Sequence, residues 1–109
     1  MKKYSSLLFE AKNNVFGKLL FYNYGGQLSI SSDLSNELSY IYPEHFICVA
    51  YSSGPITNIS LRGKNVQKIL SEVLKKLNSG TGGGHKDAVG ARIDTKDLEV
   101  FKNELEKRI

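Results

Sequence analysis

Two spacings of hydrophobic residues divide this chain into predicted strands and predicted helices. Residues 15–24 are rich in apolar, aromatic and β-branched side chains and end at two glycines, which predicts a strand. Residues 46–51 are continuously apolar, a pattern typical of a strand buried on both faces. Residues 56–62 alternate between apolar and polar side chains, and the turn residues at 52–55 predict an antiparallel hairpin with a four-residue connection. Residues 89–93 predict one further short strand.

Helical spacing is found in other segments. The strongest signal is a single apolar stripe formed by Val66, Ile69, Leu70, Val73, Leu74 and Leu77. Residues 34–41 repeat this spacing after a cluster of N-cap residues at 31–33, and a proline ends the run. A terminal helix is predicted to begin at Asp94 or Thr95. Residues 4–9 predict either an edge strand or a frayed terminus.

Length and composition predict one globular domain. The 109 residues are expected to form a single two-layer domain of the α/β or α+β class, with a mixed sheet of about four or five strands and three helices. The chain is 40% hydrophobic and 24% charged, which argues against disorder. Cys48 is its one cysteine, so no internal disulfide is possible. No apolar run approaches the ~20 residues of a membrane span, so we expect a cytoplasmic protein with no membrane partner. The formal charge of +4 fits a phosphate or nucleic-acid partner only if the charges gather near a site.

Three successive glycines form the most unusual segment. Residues 81–85, Thr-Gly-Gly-Gly-His, are predicted to be a loop between a helix and a strand. Glycines leave backbone N–H groups accessible, and successive N–H groups can line a concavity that binds an anion. His85 and Lys86 add a titratable donor and a fixed cation, and a helix beginning at residues 85–88 would add further N–H groups. A flexible connector is the alternative interpretation, and neither the P-loop nor the dinucleotide-binding pattern is matched.

The residues around the glycine segment favour an anion-binding segment over a flexible connector. Residues 82–93 read Gly-Gly-Gly-His-Lys-Asp-Ala-Val-Gly-Ala-Arg-Ile, and Ser60-Leu61-Arg62 stands about twenty residues earlier, with the predicted helix between them. This combination resembles the DHH-associated C-terminal, substrate-binding domain of the DHH phosphoesterase superfamily, which includes RecJ-type and oligoribonuclease-type proteins. The resemblance covers residue 15 to the C-terminus. We therefore expect residues 1–109 to be a single phosphate- or nucleic-acid-binding domain of this type.

The resemblance implies a role for individual residues. Ser60 and Arg62 would contact substrate phosphates, because the planar fork of arginine binds phosphate oxygens bidentately. The backbone of Gly82, Gly83 and Gly84 would contribute further contacts, and His85 a side-chain contact. Thr81 stands where many members have another glycine, and Val89 where they have a second alanine.

Catalysis is not expected of this chain alone. The superfamily's catalytic domain carries an Asp-His-His signature and aspartates that hold two metal ions, and no such signature is present. We predict no catalytic residue, no metal ligand and no cofactor here, with manganese or magnesium relevant only if a DHH domain is supplied. A Ser60–His85 hydrolase dyad lacks an orienting third group. Cys48 is predicted to be a core residue and His45 a surface turn residue. The remaining candidate ligands are scattered aspartates, namely Asp33, Asp87, Asp94 and Asp97.

Three functional hypotheses remain open at this point. The first is a module that binds the backbone of single-stranded DNA, RNA or a nucleotide, with a ring of cations around the glycine loop formed by Arg62, Lys64, Lys68, His85, Lys86 and Arg92. Tyr22, Tyr24 and Tyr51 would then either stack bases or pack in the core. The second is a fragment of a metal-dependent phosphoesterase or exonuclease. The third is a RecJ-like protein-interaction subunit that works with GINS in an archaeal replication complex.

Overall fold

A six-stranded sheet with helices on both faces forms the protein, as seen in a computed structural model that describes residues 3–109. The strands are β1 (Val15–Phe16), β2 (Leu19–Tyr24), β3 (Phe46–Ser53), β4 (Ile56–Arg62), β5 (Thr81–His85) and β6 (Ala88–Asp94). The helices are α1 (Tyr4–Ala11), α2 (Ser31–Ile41), α3 (Val66–Leu74) and α4 (Leu98–Glu106), the last preceded by a 3-10 turn at Thr95–Asp97.

The strand order is β1-β2-β3-β4-β6-β5. Among these strands only β2 and β3 are parallel, because α2 lies between them as a crossover connection; the other neighbours are antiparallel. Two tight hairpins place the last strands. Gly54-Pro55 joins β3 to β4, and Lys86-Asp87 joins β5 to β6. The sheet is thus mixed, and β5 forms one of its edges.

The two faces of the sheet carry separate apolar clusters. Side chains alternate along each strand, so Cys48 and Leu61 pack on α3 and α4, whereas Ile47 and Val49 pack on α1 and α2. The predicted class, a mixed sheet with packed helices, is confirmed, with six strands and four helices and with helices forming a layer on each face. None of the helices within residues 3–109 has the length and apolar character that crossing a membrane requires.

The N-terminal segment differs from its prediction. Residues 4–9 belong to a helix, because Leu7 and Ala11 lie one turn apart and are buried against the α2 side of the sheet. The single strand predicted over residues 15–24 is two strands, since Gly17 takes a left-handed φ of 61° and turns the chain between them. The helix of residues 31–41 and the hairpin of β3 and β4 are confirmed, although the hairpin connection is two residues long rather than four.

The glycine segment also differs from its prediction. Residues 81–85 are not a loop but the edge strand β5, paired with β6 along its whole length and exposed at every residue. No helix begins at residues 85–88, which instead form the β5–β6 turn and the start of β6. α3 ends at Leu74, earlier than the apolar stripe implied, although Leu77 still packs on the core.

Candidate functional site

One part of the sheet lies beyond the apolar cluster on the α1–α2 side. That cluster draws on β2 and β3 but on none of the described residues of β4, β5 or β6. We call the part of this side formed by β4, β6 and β5 the open face, and α2 lies against its β4 end at Arg62. Cross-strand pairing places nine residues on it, because directly paired residues point to the same side of an antiparallel sheet. They are Asn58, Ser60 and Arg62 of β4, Ala88, Gly90 and Arg92 of β6, and Thr81, Gly83 and His85 of β5.

A strip without side chains lies next to Ser60. Ser60 pairs with Gly90, which pairs in turn with Gly83. A methyl group added at Gly83 would meet no atom within 4 Å, so the space above this strip is open. Ser60 itself is only 7% exposed, and its hydroxyl makes no hydrogen bond to any residue in 3–109. The exposed backbone of Gly83 and Gly90 thus lies beside a largely buried Ser60 hydroxyl that has no partner among residues 3–109.

Arg62 occupies the neighbouring row, with Ala88 and His85. Its Nε–H donates to Asn36 Oδ1 at 2.9 Å and its Nη2 donates to Ser32 Oγ at 3.3 Å, so α2 holds one side of the guanidinium. Its Nη1 donates to the backbone carbonyls of Leu61 and Val89, both at 3.2 Å. A guanidinium carries five N–H donors, so one N–H on Nη2 is left for a ligand.

The charge of Arg62 has no counter-charge among residues 3–109. The side chain is partly buried, and this desolvation lowers its pKa from the usual value. All four acceptors around it are neutral, and no described carboxylate forms an ion pair with it. The acidic helix residue Glu37 instead accepts a hydrogen bond from the Tyr4 hydroxyl at 2.6 Å, on the α1 side of α2. A partly desolvated cation without a partner favours binding of an anion.

The three glycines of β5 have two different roles. Gly83 faces the open side, whereas Gly82 and Gly84 face α3. A methyl group at Gly82 would lie 2.6 Å from the Gly90 carbonyl oxygen, and one at Gly84 would lie 2.6 Å from the Ala88 carbonyl oxygen. These two glycines therefore allow β5 to approach β6 closely. On the α3 side, a groove of about 430 Å³ runs between the helix and β5.

The N-terminus of α3 anchors the β5–β6 turn. The Gln67 amide donates to the Lys86 carbonyl at 3.1 Å, and the Asn65 amide donates to Asp87 Oδ1 at 2.9 Å. Gln67 Nε2 also donates to the Gly84 carbonyl at 2.8 Å. Because turn residues already accept from these amides, the start of α3 does not supply them to a bound anion. The contacts fix the position of the glycine strand relative to the core.

The structure brings some predicted site residues together and separates others. Ser60, Arg62, Gly83 and His85 lie on the open face, together with Arg92. Lys86 lies exposed in the adjoining turn, whereas Lys68 belongs to α3 on the opposite side of the sheet. The predicted ring of cations is therefore split between the two sides.

The tyrosines considered for base stacking are core residues. Tyr22, Tyr24 and Tyr51 are each less than a tenth exposed, and their rings pack against one another with centroids 5.7 and 5.1 Å apart. The Tyr24 hydroxyl accepts from the Ile30 amide, and the Tyr51 hydroxyl donates to the Gly26 carbonyl. These rings are not accessible to a base.

The structure gives no support to a Ser60–His85 dyad, a reactive Cys48 thiol or a metal site within residues 3–109. Ser60 and His85 are separated by β6 and by two residues along the strands, so their Cα atoms lie roughly 12 Å apart, which rules out a hydrogen-bonded dyad. Cys48 is fully buried, and desolvation raises the pKa of its thiol far above the ordinary value, as expected of a core residue. His45 lies half-buried in the turn before β3, edge-on to Tyr42. Within residues 3–109, His, Cys, Asp and Glu side chains form no group of three that could hold a metal ion.

Two residues of the site carried no signal in the sequence. Asn36 and Ser32 contact Arg62 across 26 and 30 positions of the chain. In the sequence, Ser32 is recognisable only as an N-cap candidate, and Asn36 is one of several polar residues on an amphipathic helix. Only the crossing of α2 over β4 brings them to the guanidinium.

Comparison with known proteins identifies the family of this domain. Residues 14–109 match the model of the DHHA1 domain family. Among solved structures, RecJ from Thermus thermophilus in complex with Mg²⁺ has a TM-score of 0.73 at 16% identity, covering 94% of this chain and 17% of that one. An exopolyphosphatase-related protein from Bacteroides fragilis has a TM-score of 0.65 at 21% identity, covering 98% of this chain and 36% of that one.

A third solved structure has nearly the extent of this domain. The C-Ala domain of alanyl-tRNA synthetase from Aquifex aeolicus has a TM-score of 0.66 at 19% identity, covering 81% of this chain and 87% of that one. No curated protein matches the sequence. This chain thus spans the greater part of the C-Ala domain but well under half of the RecJ and exopolyphosphatase-related proteins. The family match over residues 14–109 and the shared fold show that the chain belongs to the DHHA1 family, the domain associated with the DHH phosphoesterases.

Proposed function

We propose that the open face binds the phosphate groups of a nucleotide or of single-stranded DNA or RNA. The observation that carries this proposal is Arg62, a partly buried guanidinium held by neutral acceptors beside a strip of backbone that no side chain covers. Binding a phosphate would restore the counter-charge that the described residues do not provide. Arginine suits this role because its fixed donors match phosphate oxygens.

The surrounding groups fit the same ligand. The unpartnered Ser60 hydroxyl can donate to a phosphate oxygen, and the bare Gly83–Gly90 strip lets a sugar–phosphate backbone approach the sheet. His85 and Arg92 lie on either side of this strip and add exposed donors. None of the nine residues of the open face is Phe, Tyr or Trp, so the large stacking platforms of base-reading domains are missing from it. We therefore expect affinity dominated by phosphate contacts, with little sequence preference and a strong dependence on salt.

We further propose that this chain serves as the substrate-binding part of a larger phosphoesterase system and is not catalytic alone. The fold matches a small part of RecJ, whose solved structure is a complex with Mg²⁺. A DHH catalytic domain, on the same chain or on a partner, would supply the metal ligands and the hydrolytic chemistry. Incubation of the isolated domain with manganese and a short labelled oligonucleotide should leave the oligonucleotide intact; cleavage that follows the domain through purification would contradict this part of the proposal.

Fluorescence anisotropy tests the binding proposal directly. A fluorescein-labelled single-stranded oligonucleotide is titrated with the domain at low and at high salt. Arg62→Ala should weaken binding about tenfold or more, since a hydrogen bond to a charged group contributes ~1.5–3 kcal/mol. His85→Ala should have a smaller effect in the same direction.

Lys68→Ala is the matched control, because it removes one exposed positive charge from α3 on the opposite side of the sheet. Its effect should be limited to that of the lower net charge. Equal losses for Arg62→Ala and Lys68→Ala would show that binding is non-specific attraction to a basic protein, and the assignment of the open face would be wrong. Thermal melting of each variant checks that the fold is retained.

A further inference from the structure

We infer that Asn36 of α2 sets the affinity of this site for anions by holding Arg62 in place without neutralising it. This inference rests on the proposed phosphate-binding function and assigns a positioning role to a residue outside the Ser-x-Arg and glycine segments. Asn36 Oδ1 accepts from Arg62 Nε at 2.9 Å, the shortest of the four hydrogen bonds that the guanidinium makes.

The geometry at Asn36 is that of an arginine–carboxylate contact with a neutral group in place of the acid. The Nε–H edge of arginine is a usual docking position for Asp or Glu, and 2.9 Å is an ordinary length for such a bond. A carboxylate here would satisfy the partly buried charge and leave less attraction for a ligand. An amide orients the guanidinium equally well but leaves its full charge directed at the open face.

The other acceptors around Arg62 follow the same pattern. Ser32 Oγ and two backbone carbonyls are neutral, so no described neighbour offsets the charge. The acidic residues of α2 are turned elsewhere. Glu37 bonds Tyr4, and Asp33 lies one turn before Glu37 along the same side of the helix. On the turn beside β6, Asp87 accepts from the Asn65 amide.

Substitutions at Asn36 show whether this residue acts only by orienting the Arg62 guanidinium or also by leaving its charge unneutralised. If only the orientation of Arg62 matters, Asn36→Asp keeps an acceptor at Nε and binds oligonucleotide nearly as well as wild type, whereas Asn36→Ala loses the acceptor and binds worse. If the charge matters, the order reverses, and Asn36→Asp binds worst. We expect the second order, with Asn36→Asp weakening binding roughly tenfold or more and Asn36→Ala less.

Asn103→Asp in α4 is the matched control. Asn103 is exposed on the opposite side of the sheet, and the change has the same shape and the same effect on net charge. This variant should reduce affinity only slightly. Asn36→Asp should also melt at the same temperature as wild type or higher, because the new carboxylate pairs with Arg62; a marked loss of stability would overturn the inference, since the pair would then not have formed.

The result expected is therefore a variant that is at least as stable as wild type but binds worse. Wild type could bind the labelled oligonucleotide while Asn36→Asp binds it as tightly as Asn36→Ala or more tightly. That result would overturn the role of Asn36 and leave the proposed function standing. Wild type that fails to bind the oligonucleotide, at low salt and with its fold intact, would overturn the proposed function and this inference with it.

Discussion

The two sides of the glycine strand lead to opposite predictions for two adjacent substitutions. Gly83→Ala adds a methyl group that meets no atom within 4 Å, and the backbone at this position is not in the left-handed region. Alanine restricts the unfolded chain more than glycine does, so this variant should be more stable than wild type by ~0.4–1 kcal/mol. The same methyl group would stand on the strip where we expect the phosphate backbone to lie.

Gly84→Ala is the contrasting variant. Gly84 has a φ of +149°, and a methyl group there would lie 2.6 Å from the Ala88 carbonyl oxygen. Holding a residue with a side chain in such a conformation costs ~1–3 kcal/mol, before any cost of displacing β6. The two variants should therefore differ in stability by about 1.5 kcal/mol or more, with opposite signs relative to wild type.

Urea unfolding of both variants measures this difference, and oligonucleotide anisotropy measures binding. Gly83→Ala should retain or raise stability and lose affinity by about tenfold, because a methyl group blocks close approach of the ligand to the backbone. Destabilisation of Gly83→Ala to the level of Gly84→Ala would refute the assignment of Gly83 to the open face. A stable Gly83→Ala variant that binds like wild type would show that the ligand does not touch this strip.

Other predictions concern the guanidinium, the buried thiol and the N-terminal helix. Arg62→Lys keeps the charge but loses the planar guanidinium that Asn36, Ser32 and two backbone carbonyls hold in place, so it should bind the labelled oligonucleotide about tenfold more weakly while the slope of affinity against salt changes little; full affinity would contradict the need for an oriented guanidinium. The Cys48 thiol is buried and its pKa is raised far above the usual value by desolvation, so a thiol-reactive dye should label it only as fast as the domain unfolds, and immediate labelling would contradict that burial. Desolvation and the hydrogen bond to Glu37 raise the pKa of Tyr4 from 10.0 to about 12. The unfolded chain then ionises first as pH rises, so the contribution of Tyr4 to stability should be complete below pH 10 and lost as pH rises towards 12, and unfolding of Tyr4→Phe should show less of this alkaline loss.

Much of the fold could be predicted from local patterns. The continuous apolar run of β3 indicated a strand buried on both faces, and the structure places it at the centre of the sheet with a separate cluster on each side. The stripe of α3 indicated one buried helix face for the same reason. These predictions succeed because the number of buried faces sets the pattern: β3 is buried on both faces and is continuously apolar, whereas α3 is buried on one face and shows a stripe.

The N-terminal helix α1 and the edge strand β5 could not be predicted in this way. The segment of α1 has apolar residues whose short run fits a strand as well as a helix, and only packing of Leu7 and Ala11 against the sheet selects the helix. Glycine disfavours strands, so residues 81–85 read as a loop. Pairing with β6 and the bond from Gln67 to the Gly84 carbonyl make them a strand, and neither interaction is visible in the local pattern of residues.

The sequence by itself determined the composition of the candidate site and the family of the domain. Ser60, Arg62 and the glycine–histidine segment carry a recognisable order of residue types, and order along the chain is a property of sequence alone. Only the tertiary structure decided which of these groups share one surface. Gly83 faces one side of β5 and its two glycine neighbours face the other, Lys68 lies on the opposite side of the sheet, and Asn36 contacts Arg62. The physical reason is that strand pairing and the crossing of α2 over β4 set distances between residues far apart in the chain, and no local preference encodes those distances.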